Sequence, residues 1–300
     1  MAASAAPAEA SGAGGAGPDM EALMVWELGP FGLDSLEVEV LEGVRTYPEE
    51  VTKQVDEHWQ RLLADKPNLF DGPNWSMVKR EVLEEAKRRL RMTLQQSSYR
   101  FMHFTHMTPE GRAAVPLASR CNGVGLMALT ETSDGFLVFG LRSRKAGAMP
   151  LHWHCMPAGV VDTPDPAAVL QKELAEEIGL EWSGVSACEL LAVMSTGEEQ
   201  GHKPELTFRL RLRASAAEVS ALRHAAEDRA EHEALAFVRL VGGGEEVPAG
   251  GEEAAGAKDL FYVDAESFEG GSLGPLTEVA RRALLLLKSL GAPPTLPLPA

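Results

Sequence analysis

A mixed β-sheet held between α-helices, an α+β or α/β/α arrangement, is the fold class this sequence predicts, and three observations predict it. Strand-like runs begin at Gly123 with hairpin spacing, a capped one-sided helix interrupts them over residues 166–178, and further strands and helices follow. A smaller α/β unit precedes this pattern. The expected division is a leader over residues 1–20, an N-terminal α/β domain over 21–115, a main domain over 116–292 and a tail over 293–300. With 300 residues and 45% hydrophobic side chains, the chain can bury a substantial core.

In chain order, residues 1–19 are rich in Ala, Gly and Ser without Arg or Lys, the composition of a disordered leader rather than a presequence. Residues 36–41 alternate as a strand, and 49–63 place Val51, Val55, Trp59 and Leu62 or Leu63 on one side of a helix that the Pro67 to Pro73 stretch ends. Residues 76–89 are ambiguous between helix and strand, whereas Leu90, Met92 and Leu94 alternate with polar residues as a strand. Strands over 124–130 and 136–141 flank Ser133-Asp134-Gly135, a hairpin signal. A short strand covers 151–156, and 190–194, 206–212 and 235–240 supply three more, with a short helix over 216–226. Residues 242–256 form a Gly/Glu-rich loop, and 276–290 a helix with Ala280, Leu284 and Leu287 as its packing stripe.

The helix over 166–178 carries the chemistry. Asp165 suits its N-cap, Pro166 its first turn and Gly179 a left-handed C-cap. Leu170, Leu174 and Ile178 form its apolar face. Glu173, Glu176 and Glu177, at i, i+3 and i+4, gather three carboxylates within one turn. Each like-charged pair costs roughly 0.2–0.5 kcal/mol, and a hard divalent cation such as Mg²⁺ removes that cost by taking oxygen ligands. A solvated acidic face is the alternative reading of the same residues.

Lys172-Glu173-Leu174, Glu176-Glu177 and Gly179-Leu180 resemble the second half of the Nudix box, with Lys172 in the place of its arginine. The approach Met156-Pro157-Ala158-Gly159 looks like that family's Pro-Gly-Gly, although the loop is one residue short and Asp162 or Asp165 must stand for the box's first glutamate. Shorter pieces, Asn68-Leu69-Phe70-Asp71, Ser98-Tyr99-Arg100, Gly123-Val124-Gly125, Phe136 to Phe139 and Arg142-Ser143, resemble the uridine diphosphate glucose pyrophosphatase branch. Phe104-Thr105-His106 departs from that branch's Gly-Thr-Asn, and its long insertion before the metal helix is missing.

The resemblance implies a Nudix fold, a Mg²⁺ site (Mn²⁺ as a substitute) on Glu173, Glu176 and Glu177, and hydrolysis of a nucleotide sugar, UDP-glucose or UDP-galactose, to UMP and a sugar 1-phosphate. Glu176 or Glu177 would be the principal ligand and Glu173 a further ligand or orienter. It also implies a role for Glu231, ahead of Glu233, as an extra ligand or general base. Other diphosphates (ADP-ribose, coenzyme A) and a binding module without turnover are the rival readings. Arg100 and Arg142 are the candidate phosphate contacts, Tyr99 and Trp153 candidate stacking partners for a uracil ring. His152 and His154, two residues apart on a strand, read as a structural pair rather than a metal pair.

With 28 basic against 44 acidic side chains the net charge is −16, which disfavours nucleic acid and anionic membrane as partners, so the small nucleotide diphosphate that the resemblance implies must be met by local positive charge or a metal. No apolar run reaches the roughly 18 residues of a membrane span. Cys121, Cys155 and Cys188 have no CxxC spacing, which fits free thiols in a reducing, cytoplasmic compartment.

Overall fold

A computed structural model describes residues 19–67, 69–83, 88–240 and 260–291. Most of the expected leader (1–18), the Gly/Glu-rich loop at 242–256, the tail at 293–300, and Asn68 and Lys87 lie outside the described residues.

The elements are β1 (Val25–Gly32), β2 (Leu36–Val44), α1 (Glu49–Asp65), β3 (Pro73–Leu83), β4 (Arg89–Ser98), α2 (Tyr99–Met102), α3 (Pro109–Ala114), β5 (Gly125–Glu131), β6 (Phe136–Arg142), β7 (Trp153–Cys155) and β8 (Ala158–Val160). They continue as α4 (Pro166–Glu173), β9 (Val185–Ser195), β10 (Pro204–Leu212), α5 (Ala216–Arg223), β11 (His232–Arg239), β12 (Leu260–Asp264), α6 (Ala265–Glu269) and α7 (Glu278–Ser289). Of the ambiguous stretch at 76–89, residues 76–83 belong to the strand β3, which pairs antiparallel with β4, Arg89 opens β4, and 84–87 lie outside the described residues.

The fold is α+β, with a mixed sheet between helices. Among the described residues the larger sheet runs β1-β9-β10-β5-β6-β11-β12, with β7 and β8 attached to β6 and β5, and a second sheet runs β2-β4-β3. β10 lies parallel to β5 and β11 parallel to β12, while β1, β6, β8 and β9 pair antiparallel with their neighbours.

Both faces of the larger sheet are covered, which explains why β5 reads as a nearly continuous apolar run. Leu126 and Ala128 face one buried cluster with Val169, Leu170, Leu174 and Ile178. Met127 and Leu129 face the other, with Val279, Ala280, Ala283, Leu284 and Leu287 of α7. Leu90, Met92 and Leu94 of β4 join the first cluster. The stretch before residue 115 therefore contributes twice to the larger unit, through β1 in its sheet and through β4 in its core.

Two features of this sheet make a cleft. β5 and β6 pair only at Thr130–Val138 and Glu131–Leu137, then diverge. The three-residue strands β7 and β8 fill the wedge from either side, through Gly140↔His154 and Leu126↔Gly159 among others. Side chains from both faces of the sheet meet at this opening.

Leu174 is fully buried in the first cluster, on the turn that presents the carboxylates. Leu174→Ala is expected to destabilise the protein by about 2–5 kcal/mol, read as a lower urea midpoint at unchanged m-value. A shift below about 1 kcal/mol would mean that α4 is not anchored through this face.

Candidate functional site

The acidic turn is placed by local chemistry that its sequence specifies. The Asp165 carboxylate accepts from the backbone N–H groups of Ala167 and Ala168 at 3.1 and 3.0 Å, and Pro166 occupies the first turn. Gly179 ends the helix at φ +77°, a left-handed position that glycine adopts without steric cost. The final turn, residues 174–178, widens to π-type, so the expected single helix is an α-helix with a π-turn at its end.

Glu173, Glu176 and Glu231 line a cleft of about 580 Å³ in the strand wedge, together with Arg142, Tyr99, Lys172 and Asp162. Glu177 stands behind this wall, 2% exposed, and accepts a hydrogen bond from the Ala158 N–H at 3.1 Å. It thus ties the acidic turn to β8. Gly159 lies so close to Glu173 that a Cβ built on it would stand 2.3 Å from Oε1. The one-residue-short loop still delivers the β8 backbone to the carboxylates.

Burial dominates the electrostatics. It raises the Glu173 carboxyl to about 7, with Glu176, Glu231 and Asp162 adding to the effect and Lys172 opposing it. Glu177 is pushed well above the usual carboxylate range by burial, then by Glu173 and Glu231, against the Ala158 N–H and Arg142. Glu231 keeps contact with solvent but is partly recessed; burial and Asp228 raise its carboxyl, and Arg142 lowers it.

Lys172 is the internal counterion of this group. Its Nζ lies 3.1 Å from Asp162 Oδ2, 3.8 Å from Glu176 Oε2 and 3.9 Å from Glu173 Oε1. Of the two aspartates open as stand-ins for the box's glutamate, Asp165 is committed to the helix cap. Asp162 faces the cleft, with its Oδ1 buried and without a hydrogen bond among the described residues.

As the side chains stand, the described residues hold no three carboxylate, imidazole or thiolate groups close enough together to grip an ion. The donor set nevertheless suits a hard divalent cation, because its carboxylates are crowded, partly or fully withdrawn from solvent, and only partly compensated by Lys172.

The other sequence candidates separate. Arg142, at the end of β6, lines the cleft, and its Nε donates to Ala148 O at 2.9 Å, which fixes the guanidinium there. Tyr99 lines the cleft as well, its N–H donating to Gly72 O at 3.0 Å. Arg100 does not: it points to Asp56 at 2.5 Å and Asp71 at 3.0 Å, pinning α2 to α1 and to the preceding loop. The neighbouring basic residues are likewise paired, Arg80 with Glu27 and Arg91 with Glu37 and Glu81.

Trp153 is a core residue, packed edge-on against Phe261 and Phe268 with its Nε1–H bonded to Leu273 O. His152 donates its Nδ1–H to Pro150 O, away from the cleft. His154 is buried at the cleft, sharing a 2.7 Å hydrogen bond with Thr277 Oγ1.

Sequence reasoning missed Lys203, Glu205, Phe70 and Asp228 as cleft residues. Lys203 and Glu205 precede the strand expected over 206–212 and had no reading of their own. Phe70 carried a signal, a bulky aromatic in a loop rich in turn formers, and it is 77% exposed.

All three cysteines are buried free thiols, and no helix among the described residues is long and apolar enough to cross a membrane. No family model and no curated protein matches the chain. Among solved structures, the Deinococcus radiodurans protein DR0079 aligns at 22% identity over 31% of this chain and 57% of its own, with a TM-score of 0.27. The MutT protein from Methanosarcina mazei Go1 aligns at 16% identity over 31% of this chain and 64% of its own, with a TM-score of 0.23. Each alignment thus spans less than two thirds of the solved chain.

Proposed function

We propose that this cleft is a Nudix-type hydrolase site for a phosphoanhydride, and that its substrate is a nucleotide sugar, UDP-glucose or UDP-galactose, cleaved to UMP and a sugar 1-phosphate. One observation carries the reading: Glu173, Glu176 and Glu231 share a cleft with Arg142, while Glu177 and Gly159 hold that acidic turn against β8. The box-like sequence around the same residues supports it, as do the branch-like pieces that supply Tyr99 and Arg142.

Glu173, Glu176 and Glu177 would hold Mg²⁺, which when bound offsets phosphate charge and acidifies a water molecule. The remaining work falls to the chain. Arg142 binds the phosphate oxygens through its fixed guanidinium. Glu231 takes the proton of the attacking water, whose oxygen bonds to one phosphorus as the bridging P–O bond breaks. Lys172 holds the acidic residues near one another until substrate and cation bind.

Product analysis over a panel of nucleotide sugars, ADP-ribose and coenzyme A in Mg²⁺ tests this. The expected result is UMP and glucose 1-phosphate from UDP-glucose. Turnover of ADP-ribose or coenzyme A alone would move the substrate class. Thermal stabilisation by UDP-glucose with no product at any Mg²⁺ concentration would replace hydrolysis by binding.

A further inference from the structure

A second polar cluster lies in the same cleft, opposite in character to the acidic turn. Lys203 and Glu205 form a 2.5 Å ion pair in which both side chains are nearly buried. Gly125 makes room for it: a Cβ there would stand 2.2 Å from Glu205 Oε2 and 2.3 Å from Lys203 Nζ. His154 faces the same opening with one ring nitrogen held by Thr277, and its other nitrogen has no hydrogen bond among the described residues. Burial, with Arg142, His232 and Lys203, keeps that imidazole neutral at physiological pH.

A buried ion pair contributes little net stability, because desolvating the charges offsets their attraction. Placing one on a cleft wall, beside a neutral imidazole with a free nitrogen, has a better rationale in a ligand. The pair offers a carboxylate acceptor and an ammonium donor at fixed positions, and the imidazole adds either one. Hydroxyl groups, which both donate and accept, match that set. A further phosphate does not, because Glu205 would repel it.

The sheet register sets the distance. Gly159, the residue against which Glu173 packs, pairs with Leu126, and the adjacent Gly125 pairs with Glu205 on β10. β8 and β10 are therefore two strand spacings apart, about 10 Å. A hexose attached to a diphosphate held at the acidic turn spans that interval. The flat surfaces that suit a base are the rings of Phe70 and Tyr99, which also line the cleft.

Resting on the hydrolase reading, we infer that Lys203, Glu205 and His154 form the subsite that recognises the hydroxyl groups of the substrate's glycosyl moiety. Discrimination for a sugar-bearing diphosphate then comes from this corner rather than from the metal-binding turn.

The test compares kcat/KM for UDP-glucose and for the methyl ester of UDP, which has the same diphosphate and base but no sugar hydroxyls. In Glu205→Gln the preference for UDP-glucose is expected to fall about tenfold to a hundredfold, chiefly through KM. If Glu205→Gln does not fold, His154→Gln carries the same comparison. An unchanged preference in an active enzyme overturns the subsite and leaves the hydrolase reading standing. Failure of the wild-type protein to turn over either compound overturns both.

Discussion

On the proposed reading, Glu177→Gln is expected to fold normally, to lose at least a hundredfold in kcat against UDP-glucose, and to lack the rise in Tm expected of the wild-type protein in Mg²⁺. Gln is nearly isosteric, and its amide oxygen can still accept the Ala158 N–H that Glu177 accepts at 3.1 Å. The contact between the acidic turn and β8 therefore survives. What disappears is one ionisable oxygen donor from a turn in which burial raises the Glu173 and Glu177 carboxyls. Charge stabilisation of several kcal/mol in the transition state corresponds to about a hundredfold to a thousandfold in rate. Thermal unfolding with and without Mg²⁺, alongside initial rates, separates this from misfolding. A variant with an intact Mg²⁺ shift would remove Glu177 from the ligand set.

The parts of this site legible in the sequence are those fixed within one or two helical turns. Asp165, Pro166 and Gly179 mark the ends of the acidic helix, and the i, i+3, i+4 spacing puts its carboxylates on one side. The larger sheet was legible where strands are long and apolar, as in β5, β6 and β10. Its closing strands were not. β1 is interrupted by Gly29-Pro30 and becomes a strand by pairing with β9, some 160 residues away in sequence. β8 has three residues, too few to show a period.

The helical stretch after β4 also escaped notice, although Thr108-Pro109 is a start signal: Thr108 Oγ1 accepts the Gly111 N–H at 2.9 Å. Local pattern could not tell Arg100 from Arg142, because what separates them is the position of partners. Asp56 and Asp71 engage Arg100, whereas Arg142 sits where β6 ends in the cleft. Lys203 and Glu205 were unreadable for the same reason, since Gly125, 80 positions before Glu205, creates the space they fill.

Gly159→Ala is expected to separate stability from activity in the opposite sense to a core substitution. Its added methyl group would meet Glu173 Oε1 at 2.3 Å, Cδ at 2.5 Å and Cγ at 2.9 Å. All three atoms belong to a flexible side chain, so the backbone has no need to move and the fold tolerates the change. The carboxylate, however, has to swing out of its position beside β8. A displacement of about 1 Å in a catalytic constellation costs on the order of a hundredfold in rate. The expected outcome is a near-wild-type urea midpoint, a loss in kcat of that order and a weakened Mg²⁺ response. A stable Gly159→Ala protein with wild-type kcat and Mg²⁺ response would show that Glu173 works from elsewhere. Because Gly159 stands one position closer to Glu173 than the Nudix spacing provides, the same experiment asks whether the shortened loop depends on this missing side chain to bring strand and carboxylate together.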